Sequence, residues 1–199
     1  MSEYPTKEEF ELILRDRRLE EVVDQFVFQG VPYVFAGRDA DYRVLRRHIS
    51  SGLGIAPGEM TLVGSGRIGF SLSPETFGRP FSETSDLDVV VVSADLFDVA
   101  WLDLLRARPR YRWLRPWVQQ WYDDHKRHVY NGRIWPAKLP GVIGLSTRWF
   151  DVFKSLSRYP ELADREVHGL LYRTWDHARL YHRYGLSKIA RQVRGTLEN

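Results

Sequence analysis

Two aspartates separated by one residue are the side chains of this sequence best suited to chemistry. Asp86 and Asp88 stand at the start of a β-branched run that predicts a buried strand over 87–92. Residues two apart in an extended chain project from the same face, so both carboxylates should face one side while Leu87 points into the core. Two carboxylates held close together repel each other. A divalent cation would offset that repulsion, and Mg²⁺ commonly binds one or two carboxylates together with substrate phosphates.

A glycine turn earlier in the chain could bind phosphate. The apolar run over 60–63 predicts a strand, which is broken abruptly by Gly64, Ser65 and Gly66. The two glycines would allow positive φ angles and a close approach of the backbone to phosphate oxygens, while Ser65 could donate its hydroxyl and its N–H. Arg67 follows the turn and could form a charge-assisted bond to a phosphate or a salt bridge at the surface.

Together the two motifs resemble the signature of the DNA polymerase β-like nucleotidyltransferase superfamily. VGSGRIGFS is similar to the Gly-Ser turn of that family, and SDLDVVVV is similar to its Asp-x-Asp strand. The resemblance covers roughly 57–105 and implies a small mixed sheet flanked by helices. It also implies that Asp86 and Asp88 are catalytic and bind Mg²⁺ or Mn²⁺, which holds a nucleoside triphosphate for attack on its α-phosphorus by a substrate hydroxyl. The residues we predict to contact the nucleotide are Gly64, Ser65, Gly66, Arg67 and Ser85.

The sequence departs from the family pattern in two ways. The stretch between the glycine turn and the aspartates is longer, and its three Phe side chains with Arg79 either shape a pocket or anchor the loop to the core. The third carboxylate, which in active relatives lies on a later strand and helps to deprotonate the attacking hydroxyl, has no evident counterpart. Asp151, which is surrounded by apolar residues, is the residue we name for this role, although its stretch is also typical of an amphipathic helix. Asp123 and Asp124 are weaker alternatives.

The remaining pattern predicts a largely helical protein around a small sheet. Thr6 and Glu9 have the spacing of a capping box, so a helix should follow, with an apolar pattern that continues to Gly30. Further helices are expected over 39–51, 95–105, 113–130, 147–157 and 160–184. The predicted fold class is therefore α+β, with a small mixed β-sheet core flanked by helices and a mostly helical C-terminal half. The expected parts, within one compact unit, are an N-terminal helical segment over 1–56, the core motifs over 57–110 and a helical part over 111–199.

The composition limits the classes of function. Because the 199 residues include no cysteine, disulfide frameworks, thiolate zinc sites and cysteine nucleophiles are excluded. The N-terminus is charged, and no stretch reaches the ~20 apolar residues of a membrane span, so we expect a cytoplasmic protein without a membrane partner. The net charge of +3 includes basic runs with aromatic residues over 106–115 and 123–128. These runs fit either a solvated helix face or a surface that follows a nucleic-acid backbone.

The histidines of the second half do not form a recognised metal motif. They lie at no known zinc spacing, and we interpret them as surface or boundary residues. These residues are His125, His128, His168, His177 and His182.

Three hypotheses about function follow from the sequence. The first is a metal-dependent nucleotidyltransferase that moves a nucleoside monophosphate from a nucleoside triphosphate to a hydroxyl of an unidentified acceptor, whether RNA, protein or small molecule. The second is a non-catalytic nucleotide-binding or partner-binding module of the same fold, for example in a bacterial defence or toxin–antitoxin pair. The third is an RNA-binding protein that uses its basic aromatic helices, whose binding would depend on salt rather than on metal.

Overall fold

Helices surround a small sheet in the computed structural model, which describes residues 3–111, 116–139, 143–159, 162 and 165–195. The helices are α1 (Lys7–Asp16), α2 (Leu19–Val22), α3 (Asp39–Leu53), α4 (Ser65–Ile68), α5 (Ala94–Tyr111), α6 (Pro116–Tyr130), α7 (Gly144–Lys154) and α8 (Trp175–Gly195). The strands are β1 (Met60–Val63), β2 (Leu87–Val92), β3 (Arg133–Ile134) and β4 (Val167–Tyr172). Among the residues described, no helix combines the length and the apolar character needed to cross a membrane.

A mixed sheet joins the strands in the order β1-β2-β4-β3. The outer strands β1 and β3 run antiparallel to their neighbours, whereas β2 and β4 are parallel, with Asp88 opposite His168 and Val92 opposite Tyr172. Parallel neighbours need a long crossover connection, which here contains α5, α6, β3 and α7. The sheet therefore joins segments that lie far apart in the sequence.

Alternate residues of β2 face two separate apolar layers. Leu87, Val89 and Val91 face a layer to which α3, α5 and α7 contribute. Val90 and Val92 face a second layer, which contains side chains of α1, of the π-helical segment Val23–Phe28 and of α8. A strand that is buried on both faces has a nearly continuous apolar sequence, as β2 has over 89–92. The predicted α+β class is confirmed.

Local sequence explains where several elements begin and end. The hydroxyl of Thr6 accepts the Glu9 N–H, and the Glu9 carboxylate accepts the Thr6 N–H, so the predicted capping box opens α1. Gly54, with a φ of 68°, ends α3 in the left-handed conformation. At the start of α5, the Ser93 hydroxyl accepts the Leu96 N–H. The strands predicted over 60–63 and 87–92 are both present.

The helix predicted over 160–184 is wrong in its first half. Val167–Tyr172 form β4, and α8 begins only at Trp175. The strand includes a glycine, which weakens a strand taken alone, and it is held by its pairing with β2. A later strand therefore lies directly beside the aspartates. Residues 113–115 of the helix predicted over 113–130, and 160, 161, 163 and 164 of this one, lie outside the described residues.

Gly169 of β4 is enclosed by two stacked aromatic rings. The rings of Trp149 and Phe153 are 4.7 Å apart and inclined by 9°. A Cβ atom at position 169 would collide with Trp149 and lie 2.5 Å from Phe153. Gly185, in α8, has open space where its Cβ would be.

We expect opposite effects of alanine at these two glycines. Gly169→Ala should lower the melting temperature by several degrees, because overpacking costs about 1–3 kcal/mol. Gly185→Ala should raise it slightly, since alanine is favoured over glycine in a helix by about 0.5–1 kcal/mol. Thermal denaturation followed by circular dichroism measures both variants, and equal shifts would contradict the packing around Gly169.

Candidate functional site

Asp86 and Asp88 lie in a cleft on the sheet face that α8 covers. The cleft has a volume of about 470 Å³, and Gly64 and Ser65 from the turn after β1 form part of its wall. Leu87, between the aspartates, is completely buried in the opposite apolar layer. The strand therefore presents both carboxylates on one face, and the structure brings the glycine turn and the aspartate pair together.

The backbone of Gly64 lies directly against Asp88. Gly64 has φ 69° and ψ −150°, a conformation that glycine adopts far more readily than other residues. A Cβ atom at this position would lie 2.8 Å from Oδ2 of Asp88. A larger side chain would therefore displace the carboxylate. Ser65, which follows, lines the same cleft.

The next two residues of the turn serve the packing of the protein. At Gly66, in α4, a Cβ atom would lie 2.5 Å from Cδ2 of Leu87, so close packing against β2 explains this glycine. Arg67 is only 2% exposed and donates to the carbonyl oxygens of Val31, at 2.5 Å, and Gln25, at 3.4 Å. Burial lowers the pKa of Arg67. These positions correct the expectation that Gly66 and Arg67 contact a nucleotide.

The long loop between the turn and β2 forms one side of the cleft. Phe70 is buried and Phe77 packs beside it, with ring centroids 6.1 Å apart, so these rings anchor the loop to the core. The opposite side of the loop is polar and faces the cleft. Its lining residues include Ser71, Ser73, Thr76 and Arg79. Of the side chains considered for a pocket, only Arg79 lines the cleft, while Phe70 and Phe77 take the anchoring role. The loop offers hydroxyls and a guanidinium to an anionic ligand.

Ser85 closes the loop at the aspartates. Its hydroxyl accepts the backbone N–H of Ser82 at 3.0 Å, and its carbonyl oxygen accepts a bond of 2.8 Å from Arg165. Ser85 lines the cleft as well. Both contacts hold the backbone just before Asp86, so the clearest role of Ser85 is to position that carboxylate.

Strand β4 places a histidine where a third carboxylate was expected. His168 lies opposite Asp88 in the parallel pair. Its Nε2 atom is 3.7 Å from Oδ2 of Asp86 and 3.4 Å from Oε2 of Glu166. The ligand atoms of Asp86, Glu166 and His168 all lie within 4.8 Å of one another, and these three residues could hold a metal ion. His168 is exposed, as interpreted from the sequence, but its place in the site and that of Glu166 were missed.

Asp151 does not take the third position. It lies exposed on α7, outside the wall of the cleft, while Trp149 and Val152 of the same helix are buried. The helical period thus turns Asp151 to solvent, which corrects its assignment as a catalytic carboxylate. Asp123 and Asp124 are exposed on α6 and do not line the cleft either.

The fold disfavours the ionised form of Asp88. Partial burial raises the pKa of this carboxyl, the neighbouring His168 opposes the shift, and Asp86 reinforces it by repulsion. Asp88 is nevertheless exposed to solvent through the cleft, and water there weakens the effect of burial on its pKa. Added positive charge in the cleft would favour the carboxylate form.

Two enclosed polar groups lie farther along the same cleft. Among the residues that the structure describes, neither the hydroxyl of Tyr172 nor Nε2 of His182 has a hydrogen-bond partner. Burial raises the pKa of Tyr172 and lowers the pKa of His182 to about 4. The rings of Phe28 and Tyr181 contact His182 edge-on. His182 is therefore a neutral imidazole at neutral pH.

Comparison with known proteins adds no relative to this description. No protein-family model, curated protein or solved structure matches the chain significantly.

Burial of His182 should make folding sensitive to mild acid. The His182 side chain binds a proton near pH 6.5 in the unfolded chain but only near pH 4 in the folded protein. The free energy of unfolding therefore decreases as the pH falls through that window. The loss should approach ~3 kcal/mol in wild type and be absent in His182→Leu. Urea denaturation at several pH values measures it, and parallel pH profiles for the two proteins would contradict the burial of a neutral imidazole.

Removing the charge of Asp88 should stabilise the metal-free protein. The pKa of Asp88 is raised in the folded state, so the protonated carboxyl favours folding. This contribution to the free energy of unfolding is complete below the ordinary pKa of a carboxyl, and it is lost as the pH rises through the pKa of the folded state. Asp88→Asn should therefore melt above wild type at neutral pH in the presence of a chelator. Asp151→Asn, at an exposed position outside the cleft, is the control and should change little. A lower melting temperature for Asp88→Asn would show that the carboxylate supports the fold.

Proposed function

We propose that the protein is a metal-dependent nucleotidyltransferase, which moves a nucleoside monophosphate from a nucleoside triphosphate to a hydroxyl of an acceptor. The observation that carries this proposal is the single cleft in which the turn at Gly64 and Ser65 faces Asp86 and Asp88 across neighbouring strands. The arrangement agrees with the resemblance noted from the motifs, in which such a turn binds phosphates and such aspartates bind metal.

The groups around Asp86 suit a divalent cation. Asp86, Glu166 and His168 offer two carboxylates and an imidazole, and the raised pKa of Asp88 marks a place where added positive charge would be favourable. Carboxylates suit both Mg²⁺ and Mn²⁺. Asp86 belongs both to the motif pair and to this group of three, so we assign the ion to Asp86, with Asp88 and Glu166 as the further carboxylates. His168, beside them, stays free of the metal. When bound, the ion would neutralise the charge of the triphosphate and the charge that develops at the α-phosphorus.

The turn and the loop provide groups for the triphosphate. Because Gly64 has no side chain, a phosphate oxygen can approach the backbone there, and Ser65 can donate its hydroxyl and its N–H. Arg79, on the other side of the cleft, can add a charge-assisted bond. Catalysis would then consist mainly of positioning and charge neutralisation.

The proposed step exchanges one phosphorus–oxygen bond for another. The acceptor oxygen bonds to the α-phosphorus while the bond from that phosphorus to the bridging oxygen breaks, which releases pyrophosphate. The hydroxyl proton passes to a base of the cleft. His168 stands beside Asp88 at the position of the third carboxylate, and a neutral imidazole can accept that proton.

A non-catalytic nucleotide-binding module is the second candidate. The observation that favours it is the same His168, because the resemblance implies a carboxylate on a later strand, and β4 has a histidine and no acidic residue. Such a module would bind a nucleotide in the cleft with the same turn and the same metal, without transfer. A cytoplasmic location stays a prediction under either function.

Transfer can be tested directly with labelled nucleotides. Wild type, incubated with each α-labelled nucleoside triphosphate, Mn²⁺ or Mg²⁺, and RNA and protein extracts, should give a labelled product. Asp86→Ala/Asp88→Ala should lower the rate by at least about 100-fold, because charge stabilisation in the transition state is lost. Its melting temperature should not fall, and Asp151→Ala should keep the wild-type rate. Metal-dependent nucleotide binding without any label in wild type would favour the module.

Variants of His168 test its assignment as the base. His168→Gln should lower the rate of transfer by about 100-fold or more, the contribution typical of a positioned base. His168→Asp should retain much of the activity, since it restores the carboxylate of the family pattern. A wild-type rate of transfer in His168→Gln would exclude His168 as the proton acceptor.

A further inference from the structure

A second cavity adjoins the cleft at its reactive residues. It has a volume of about 640 Å³. Asp88, Trp135, His168 and Gly169 belong to the walls of both spaces. An enzyme that transfers a group between two substrates must hold both of them against the same reacting atoms. The cleft and the second cavity therefore provide separate places for the donor and for the acceptor.

The wall of the second cavity is aromatic and basic. Trp135 and Phe150 line it, and their side chains are 36% and 60% exposed. The Nζ atom of Lys138 lies 3.9 Å from the ring centroid of Trp135, and that of Lys154 lies 5.7 Å from the ring centroid of Phe150. Each of these exposed rings thus has an ammonium group over one of its faces, so a base that stacks on the ring has to use the opposite face or displace the lysine side chain. The cleft, by contrast, is lined by the hydroxyls of its loop.

A ring with an adjacent ammonium group matches the two parts of a nucleotide. A base can stack on the ring while a phosphate pairs with the ammonium group, the combination by which proteins bind single strands with little preference for sequence. The two ring–ammonium pairs belong to different elements: Trp135 with the turn Pro136–Lys138 after β3, and α7. Two such pairs in one cavity offer a ring and a cation to each of two nucleotides of one strand.

The charges around the cavity give the strand a direction. Asp88 and Glu166 line the cavity near the starts of β2 and β4, where the metal is assigned. Lys138 and Lys154 line it from the turn after β3 and from α7. Phosphates are attracted to the lysines and repelled by the carboxylates. The uncharged hydroxyl end of a strand is the part that can approach Asp88 and His168.

We propose that the second cavity is the acceptor site and that it binds the hydroxyl end of a single nucleic-acid strand. The terminal bases stack on Trp135 and Phe150, and the phosphates pair with Lys138 and Lys154. The terminal hydroxyl faces the cleft and becomes the acceptor of the nucleoside monophosphate. This inference rests on the proposed nucleotidyl transfer, although binding of the strand can be measured without it.

Binding of fluorescein-labelled single strands to the full chain tests the proposal. Lys138→Glu/Lys154→Glu should weaken binding at least about tenfold, Phe150→Ala should weaken it several-fold, and the affinity should fall as salt is raised. These side chains are exposed, so the variants should melt close to wild type. Lys138→Arg/Lys154→Arg should bind almost as well as wild type. RNA and DNA strands of one sequence show which sugar the site accepts.

A matched control exists on α8. Lys188 lies with its Nζ atom 4.7 Å from the ring centroid of Tyr184, which is the same kind of pair, but it is outside the walls of both spaces. Tyr184→Ala/Lys188→Glu removes one ring and reverses one charge, as Phe150→Ala/Lys154→Glu does in the second cavity. The α8 variant should bind the strand as wild type does, and the cavity variant should bind it weakly. Equal weakening in this control would mean that binding follows the general charge of the surface, and it would overturn the proposal. Wild-type binding by Lys138→Glu/Lys154→Glu would overturn it as well.

Failure of this inference can be distinguished from failure of the proposed function. Asp86→Ala/Asp88→Ala should bind the strand at least as tightly as wild type, because a carboxylate that repels phosphates is removed from the cavity wall, while it loses transfer. A strand that lacks its terminal hydroxyl should bind without being extended. Transfer to a protein or a small molecule, with no binding of the strand, would overturn this inference and support nucleotidyl transfer. Binding that depends on Lys138 and Lys154 but is never followed by transfer would support the site as a strand-binding surface and remove the assigned reaction.

Discussion

The parallel pairing of β2 with β4 is the contact on which both the core and the cleft depend. Its register sets His168 opposite Asp88 and, four residues later, Tyr172 opposite Val92. A shift by one residue would exchange the two faces of β4, so that Leu171, which is completely buried in one layer, would enter the cleft. Apolar burial on both faces of the sheet therefore determines the position of the polar residues at its edge. The chemistry of the site is a consequence of that register.

The edge of the sheet at the cleft also holds groups that, taken alone, do not stabilise the folded protein. Asp88 is partly desolvated and lies near a second carboxylate, and Gly64 adopts a backbone conformation that other residues avoid. The buried layers on either side, with Leu87 and Val90 in β2, supply the free energy that holds these groups in place. Unfavourable local features that are surrounded by well-packed elements are typical of functional sites.

Prediction from the sequence was successful where neighbouring residues decide the structure. The capping box at Thr6 and the strand over 87–92 depend on short-range patterns, and both are present. β4 was missed because a short run with a central glycine becomes a strand only through its distant partner, and His168 and Glu166 were missed with it. The apolar Leu-Leu-Tyr that ends this strand was the available signal. Arg67 shows the same limit, since its acceptor at Val31 is 36 residues away and no local pattern identifies it.

Trp135 places a fluorescent side chain in the wall that the cleft shares with the second cavity. Its indole is partly exposed, has the ammonium group of Lys138 above its ring, and lies against both spaces. The emission of an indole responds to nearby charge and to the loss of contact with water. Entry of a molecule on either side would therefore change the intrinsic fluorescence of the protein without any attached dye. Trp135 is one of seven tryptophans, so its contribution is the difference between the spectra of wild type and Trp135→Phe. That difference would record the order in which the two spaces are filled.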